Sequence, residues 1–343
     1  MPLRRRLALL AACAVGSLTS LAAIAATAAH ADPYLPPAGR VFHGVTGGKD
    51  VGGYEQATGN HPPVFQFFSS FGSPLEYMFQ AAERERARLM LHISTLTNGR
   101  ETVTPGAIAE GAEDDYLLAL NKRIADSSSP VYLRLMSEMN GHWNPYAAFD
   151  ANGRARGAAR STAAFRRAWK RSVLIVRGGD VGTIDRRLKA LGLPPVRTAE
   201  DELARPRVAF LWVPQVAGAP DTRANSPRAY WPGREYVDWV GTDFYSKFPN
   251  FAGLDRFYRD FARERKPFVF GEWAIWGRDD AGFVNRFFGW VGAHRSVRML
   301  MYNQGNRPDG PFRLHRYPRA AKALRAKLGT SRFAPFAPEY LPE

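Results

Sequence analysis

Two glutamates follow apolar, strand-like runs far apart in the chain, and as a pair they could perform acid–base and nucleophilic chemistry. Glu138 comes soon after one such run and precedes Met139-Asn140-Gly141-His142-Trp143-Asn144-Pro145-Tyr146. Glu272 ends the run Phe268-Val269-Phe270-Gly271 and precedes Trp273. A protonated carboxyl can assist an oxygen leaving group while an ionised carboxylate attacks carbon, which are the two roles that glycosidic bond hydrolysis requires. One such glutamate alone indicates only a solvated or arginine-paired loop residue; the pair in aromatic surroundings indicates chemistry.

The elements that must position these glutamates alternate between strand-like and helix-period runs from residue 40 to residue 328. This alternation predicts a parallel sheet with crossover helices, and eight units favour a closed barrel, so we expect an α/β fold with a single (β/α)8 TIM barrel. Active sites of such barrels lie at the carboxyl ends of the strands. Glu138 follows the fourth strand and Glu272 the seventh, so the two would face each other across the barrel. The predicted strands are Arg40 to Val45, Val64 to Ser69, Arg88 to Ile93, Val131 to Met136, Val208 to Val213, Val237 to Tyr245, Pro267 to Gly271 and Arg298 to Tyr302.

The first 31 residues have the pattern of a secretory signal peptide. Arg4, Arg5 and Arg6 precede an Ala/Leu-rich apolar run, and Ala29-His30-Ala31 is a small-x-small cleavage site. We therefore expect cleavage after Ala31, one catalytic domain over residues 32–343 with a Pro-rich tail at 331–343, and a secreted or envelope-associated protein that meets the membrane only during export. An uncleaved anchor is the alternative interpretation. The paired arginines leave both the general and the twin-arginine export routes open.

Composition excludes several function classes. The only cysteine, Cys13, lies in the leader, so the remaining chain would have no disulfide and no thiolate site. The sequence has no GxxxxGK[ST], HExxH or GxSxG motif, and its seven histidines are scattered, so no metal and no cofactor is expected. The net charge is +15, or +12 without the leader, which holds three arginines and no acid. This charge could attract anionic polymers, but solvated helix faces explain it more simply, for example Arg166, Arg167, Lys170 and Arg171. No nucleic-acid-binding motif accompanies these residues.

The motifs around the two glutamates resemble those of glycoside hydrolase family 26, the β-mannanase-like family. Arg134 followed by Glu138-Met139-Asn140-Gly141, then Trp143 and Pro145-Tyr146, resembles the family's acid/base motif. Phe270-Gly271-Glu272-Trp273-Ala274 resembles its nucleophile strand. Matches to its fifth, sixth and eighth strands follow in the same order, at Leu211 to Pro214, Val237 to Tyr245 and, more loosely, Met301 to Gly305. The resemblance covers nearly the whole chain after the leader.

The resemblance implies a role for each matching position. Glu138 would be the acid/base and Glu272 the nucleophile of a retaining, two-glutamate hydrolase that acts on a β-linked polysaccharide, with β-1,4-mannan first. Tyr245 would donate to the nucleophile, and Arg134 would neutralise carboxylate charge beneath the site. His92 would contact sugar, Asn140 would bond to sugar hydroxyls, and three indoles would stack on sugar faces: Trp143, Trp212 and Trp273. Tyr245 and His92 could instead be structural residues, and Asp243 could bind sugar or pair with an arginine.

The sequence departs from the family pattern at two positions. Ser137 stands where family members usually have a histidine before the acid/base, and Gln215 stands near a common asparagine. These departures leave the substrate open, including xylan, mixed-linkage glucan and an exopolysaccharide. They also leave open a non-catalytic glycan-binding protein of the cell envelope. We expect a monomer with a polysaccharide as its only partner.

Overall fold

The barrel strands enclose the site, and in this computed structural model they form a closed, all-parallel sheet. The structure describes residues 33–46, 51–262 and 266–341, so the expected leader lies outside the described residues. Each barrel strand pairs with its sequence neighbours, and the last pairs with the first, which confirms the predicted (β/α)8 fold. The strands are β1 (Phe42–Thr46), β2 (Val64–Ser70), β3 (Arg88–Ser94), β4 (Val131–Leu135), β5 (Val208–Trp212), β6 (Trp239–Tyr245), β7 (Phe268–Ala274) and β8 (Val297–Asn303).

Helices cover the outside of the barrel, with their apolar faces against the strands. The connection from β5 to β6 differs, because in the described chain it consists of three short 3-10 turns, at Arg223–Asn225, Pro227–Tyr230 and Arg234–Tyr236. The α-helices are α1 (Val51–Thr58), α2 (Glu76–Arg84), α3 (Pro105–Ala109), α4 (Asp114–Ala125), α5 (Thr162–Arg177), α6 (Val181–Ala190), α7 (Phe251–Ala262), α8 (Ala281–Ala293) and α9 (Pro318–Leu328).

The prediction that Arg171 lies on a solvated face of α5 is wrong. This guanidinium is fully buried and forms an ion pair with Asp114 of α4, with Nε at 2.7 Å from Oδ1. It also donates to the carbonyls of Pro194 and Pro195, at 2.7 Å and 3.0 Å. The long connection before β5 therefore folds back over α5, and the buried charge is matched by a carboxylate and two carbonyls.

Side chains alternate between the barrel interior and the helices along each strand, as the pleat requires. The lower interior is apolar and is filled by Phe42, Val64, Met90, Tyr132, Ala209, Leu211, Val213, Trp239, Val269, Met299 and Met301. Towards the carboxyl ends the inward positions become polar. The apolar floor therefore excludes water from beneath a polar layer at the mouth of the barrel.

A β-bulge in β7 decides which way the second glutamate points. The pairing of β6 with β7 runs Thr242 with Phe270 and then Asp243 with Glu272, so Gly271 is an extra residue. Val269 points into the barrel, and strict alternation would send Glu272 outward. The bulge shifts the phase by one residue and turns Glu272 inward beside Asp243. The strand predicted to end at Gly271 thus continues to Ala274, because pairing resumes beyond the bulge.

The segment 331–341 closes the amino-terminal end of the barrel. Phe333 pairs with Val41, and the alanines at 334 and 337 pack into the lower interior cluster. Glu339 forms an ion pair with Arg88 at 2.7 Å. The described part of the Pro-rich tail is therefore docked against the barrel. Of the helices in the described ranges, none is long and apolar enough to cross a membrane.

Candidate active site

A buried guanidinium organises the polar layer at the carboxyl ends of the strands. Arg134, at an inward position of β4, has no exposed surface. Its Nη2 lies 2.9 Å from both carboxylate oxygens of Asp243, and its Nη1 lies 3.1 Å from Oε1 of Glu272. Nη1 also donates to the side chain of Gln66 at 3.1 Å. One cation thus compensates two buried carboxylates. Burial of either carboxylate without a cationic partner would be strongly unfavourable. For Asp243, the sequence left open sugar binding or arginine pairing, and the structure pairs it with arginine.

Gly271 allows this guanidinium to lie against the strand that carries Glu272. A Cβ placed on Gly271 would lie 2.7 Å from the Nε and Cζ atoms of Arg134. The carbonyl of the same glycine accepts a hydrogen bond from Arg134 Nη1 at 3.0 Å. A side chain at position 271 would therefore displace the arginine from both of its carboxylates.

Glu272 is held by three donors. Besides Arg134 on Oε1, its Oε2 accepts from the Tyr245 hydroxyl at 2.6 Å and from Asn303 Nδ2 at 2.9 Å. Asn303 also donates to the Tyr245 oxygen at 2.9 Å, and its own carbonyl oxygen accepts the Gly305 backbone N–H at 2.7 Å. Three donors on one carboxylate fix its orientation. Glu272 is thereby held in one position in the cleft.

Glu138 occupies a different environment in the loop after β4. Its backbone has φ = 53°, a left-handed conformation that is uncommon for glutamate and that orients its side chain into the cleft. Oε2 accepts the indole N–H of Trp143 at 2.7 Å, and Oε1 accepts a hydrogen bond from Nε2 of Gln215. The indole reaches Glu138 by lying across Gly141, where a Cβ would be 2.3 Å from the ring.

The pKa of Glu138 is raised from 4.5 to about 7, first by burial and second by the negative charge of Glu272. The hydrogen bond from Trp143 and the charge of Arg134 oppose this rise. Glu138 is therefore protonated in much of the population at neutral pH. Glu272 instead accepts hydrogen bonds from a guanidinium, a phenol and an amide. An acid and a nucleophile require two carboxyls whose environments differ in this way.

Both glutamates line one cleft with a volume of about 670 Å³. Trp143, which is 50% exposed, lines the cleft beside Glu138. Four further aromatic residues line the same cleft and contact one another: Tyr245, Phe248, Trp276 and Phe312. Phe248 is 64% exposed, so its ring is available to a ligand.

The structure brings five of the predicted site residues together: Glu138, Glu272, Tyr245, Arg134 and Trp143. Several members of the site were not predicted: Gln215, Phe248, Trp276, Asn303 and Phe312. Asn303 could have been found as the polar residue at the end of β8, and Trp276 as the second indole after β7. The others lie in loops, whose course no periodicity in the sequence indicates.

Four of the residues predicted to contact sugar do not reach the cleft. Trp212 has no exposed surface and packs against Trp231 and Phe261 on the helix side of β5. Trp273 is likewise buried, stacked on Phe287 of α8. Each indole is adjacent in sequence to an inward side chain, so the strand pleat sends it outward.

Asn140 is the third. It is fully buried, and both ends of its amide bond to the backbone of Gln215, so it joins two loops instead of facing a sugar.

His92 points inward from β3 but into a separate groove, which Phe68, Asn144 and Tyr146 also line. Burial first, and the charge of Arg134 second, lower its pKa well below the usual value, so the ring is neutral. Neither ring nitrogen has a hydrogen-bond partner among the described residues. Ser137 is also buried, and its hydroxyl has no hydrogen-bond partner among the residues that the structure describes.

Within the described ranges, no group of three or more histidine, cysteine or acidic residues could hold a metal ion.

The fold and the paired carboxyls place this chain among (β/α)8 barrels with a carboxylate-lined cleft. The sequence matches no protein-family model and no curated protein. Its fold is similar to that of solved glycoside hydrolases. The structure of glycoside hydrolase 26A from a Muricauda species has a TM-score of 0.57 at 14% identity, over 86% of this chain and 91% of the other. A family 26 β-mannanase from Bacteroides ovatus has a TM-score of 0.54 at 15% sequence identity, over 88% of this chain and 91% of the other. A Bacillus subtilis mannanase has a TM-score of 0.52 at 15% sequence identity, over 89% of each chain.

Proposed function

We propose that this chain is a retaining glycoside hydrolase of family 26 type that cleaves a β-linked polysaccharide, with Glu138 as acid/base and Glu272 as nucleophile. The observation that carries the proposal is the contrast between the two carboxyls in one cleft. The pKa of Glu138 is raised to about 7, while Glu272 accepts hydrogen bonds from Arg134, Tyr245 and Asn303. The similarity to solved family 26 structures supports the same assignment through the fold.

In the first half of the reaction, Glu272 attacks the anomeric carbon while Glu138 protonates the departing glycosidic oxygen. The bond from carbon to the leaving oxygen breaks as the bond to the Glu272 carboxylate forms. Tyr245 and Asn303 keep the attacking oxygen oriented, and Arg134 holds the other oxygen of the same carboxylate.

In the second half, the ionised Glu138 removes a proton from water, which attacks the same carbon and releases Glu272. Esterification has meanwhile removed the negative charge of Glu272, one of the two causes that raise the pKa of Glu138. The pKa of Glu138 therefore falls when the residue must change from acid to base.

For the substrate we propose β-1,4-mannan, cleaved within the chain. The described residues that line the cleft include three carboxyls, Glu138, Asp243 and Glu272, and no lysine or arginine, which suits an uncharged polysaccharide. Aromatic rings lie beside both glutamates and offer apolar faces to sugar rings on either side of the cleaved bond. Two of the solved structures with a similar fold, from Bacillus subtilis and Bacteroides ovatus, are mannanases.

The test is release of reducing ends from β-1,4-mannan, xylan and mixed-linkage glucan by the parent and by Glu138→Ala and Glu272→Ala. Glu200→Ala is the matched control, because Glu200 is exposed on a loop outside the cleft. We expect turnover by the parent and the control, and a loss of at least about 10³-fold in the two cleft variants. NMR of the first product formed should show the β-anomer of the new reducing end, which is the signature of retention.

Equal activity in the parent and either cleft variant would contradict the proposal. Saturable binding of a polysaccharide by the parent without any turnover would instead support the non-catalytic glycan-binding alternative.

We further propose that the chain is exported and cleaved after Ala31, and acts as a monomer. Mass spectrometry of the protein recovered outside expressing bacterial cells should give a chain that begins at Asp32. Recovery of the protein only with its leader attached to membranes would contradict this.

A further inference from the structure

The backbone of Gln215, three residues beyond the end of β5, is fixed to the loop that carries Glu138. Its N–H donates to Oδ1 of Asn140 at 2.9 Å, and its carbonyl accepts from Nδ2 of Asn140 at 3.0 Å. The N–H of Glu138 donates to the carbonyl of Val213 at 2.8 Å. Asn140 is fully buried. The two loops thus form one unit, and this unit sets the direction of the Gln215 side chain.

From this fixed backbone, the Gln215 amide reaches the carboxyl of Glu138. Nε2 donates to Oε1, while Trp143 donates to Oε2 from the other side. The two partners differ in chemistry. An indole N–H can only donate, whereas a side-chain amide has a donor end and an acceptor end.

We propose that Gln215 is a positioning residue for the acid/base: its amide fixes the orientation of the Glu138 carboxyl and bonds to it in both protonation states. The N–H end of the amide faces the ionised carboxylate, and a half-turn of the terminal torsion presents the C=O end to the protonated acid. This inference rests on the proposed function, in which Glu138 must be an acid in one step and a base in the next.

The bond to the ionised form is the stronger of the two, because one partner carries a full charge. Removing the amide therefore destabilises the ionised form more than the protonated form and raises the pKa of Glu138. The other groups that act on this carboxyl electrostatically remain when Gln215 is replaced; they are Arg134 on β4, Asp243 and Tyr245 on β6, Glu272 on β7 and Tyr146 in the loop after β4.

The test is a carboxyl-¹³C NMR titration of glutamate-labelled protein without substrate, with the Glu138 resonance assigned from its loss in Glu138→Gln. In Gln215→Met the side chain keeps its length but loses both polar ends, and the backbone bonds to Asn140 remain. We expect the pKa of Glu138 to rise by about 1 unit. Gln80→Met is the matched control, since Gln80 donates to the exposed Glu76 at 2.9 Å on α2, away from the cleft.

The second measurement is the pH dependence of turnover on the polysaccharide that the parent cleaves. In Gln215→Met the basic limb of the pH profile should shift to higher pH, by the same amount as the pKa of Glu138. The value of kcat should fall about 10-fold with KM nearly unchanged. A general loosening of the loop would lower kcat without moving the limb. Gln215→Ala repeats both measurements if the methionine variant does not fold.

An unchanged pKa of Glu138 in a folded Gln215 variant overturns the inference, as does a raised pKa with an unmoved basic limb. A parent without turnover contradicts the proposed function alone, because the NMR titration still decides whether Gln215 controls the Glu138 carboxyl.

Discussion

Replacing Glu272 by glutamine should lower the pKa of Glu138. Glutamine keeps the size of the side chain but removes its negative charge. An adjacent anion disfavours ionisation of Glu138, so its removal favours the ionised form and the pKa falls. The same loss of charge occurs when the nucleophile becomes esterified during the reaction, so the variant reproduces the electrostatics of the covalent intermediate.

The size of the effect follows from the causes that act on Glu138. Its pKa rises from 4.5 to about 7, and burial is the larger cause while the charge of Glu272 is the second. Burial persists in Glu272→Gln. The variant should therefore lose only part of the rise, about 1 pH unit, which corresponds to about 1.4 kcal/mol. The pKa should remain above 4.5.

The assay is the same carboxyl-¹³C titration, comparing Glu138 in the parent and in Glu272→Gln. In the variant the Glu138 resonance should titrate at lower pH than in the parent. An unchanged or raised pKa would refute the argument, since it would mean that the charge of Glu272 does not act on Glu138. Glu200→Gln serves as the control for a distant glutamate.

Three further substitutions test the site. Tyr245→Phe removes the 2.6 Å hydrogen bond to Glu272, so kcat/KM should fall about 10- to 100-fold with folding unchanged, as steady-state kinetics and thermal unfolding will measure. Gly271→Ala puts a Cβ 2.7 Å from the guanidinium of Arg134, so the free energy of unfolding measured in denaturant should drop by about 2–3 kcal/mol. Phe248→Ala removes a ring that is 64% exposed in the cleft, so KM for the polysaccharide should rise roughly 3- to 10-fold with stability unchanged.

Each of these has an outcome that contradicts it. Full activity of Tyr245→Phe would show that its hydroxyl does not orient the nucleophile. Parental stability of Gly271→Ala would mean that Arg134 can move aside at no cost. An unchanged KM in Phe248→Ala would exclude that ring from substrate binding.

Local patterns in the sequence were sufficient to predict the barrel. Strands buried on both faces require continuous apolar runs, and these runs lie within a few residues of all eight observed strands. The same logic placed Glu138 and Glu272 at the carboxyl ends of the fourth and seventh strands. Their residue types then indicated the chemistry.

The errors concern the direction and partners of side chains. Trp212 and Trp273 have the residue type of a sugar platform, but the pleat turns both towards the helices. Asn140 has the chemistry to bond a hydroxyl, but its amide is occupied by the backbone of a loop 75 residues away. The pleat could have excluded Trp212 from the sequence alone. The outward direction of Trp273 depends on the bulge at Gly271, and no local pattern predicts the contact of Asn140.

The sequence by itself therefore determined the order of strands and helices, and the two carboxyls that end the fourth and seventh strands. Only the tertiary structure decided how these carboxyls differ. The bulge at Gly271 turns Glu272 inward, Arg134 reaches it across the barrel, and Gln215 comes from another loop to meet Glu138. The physical reason is that secondary structure follows from local periodicity, whereas the pKa and orientation of a buried carboxyl depend on partners that are distant in sequence.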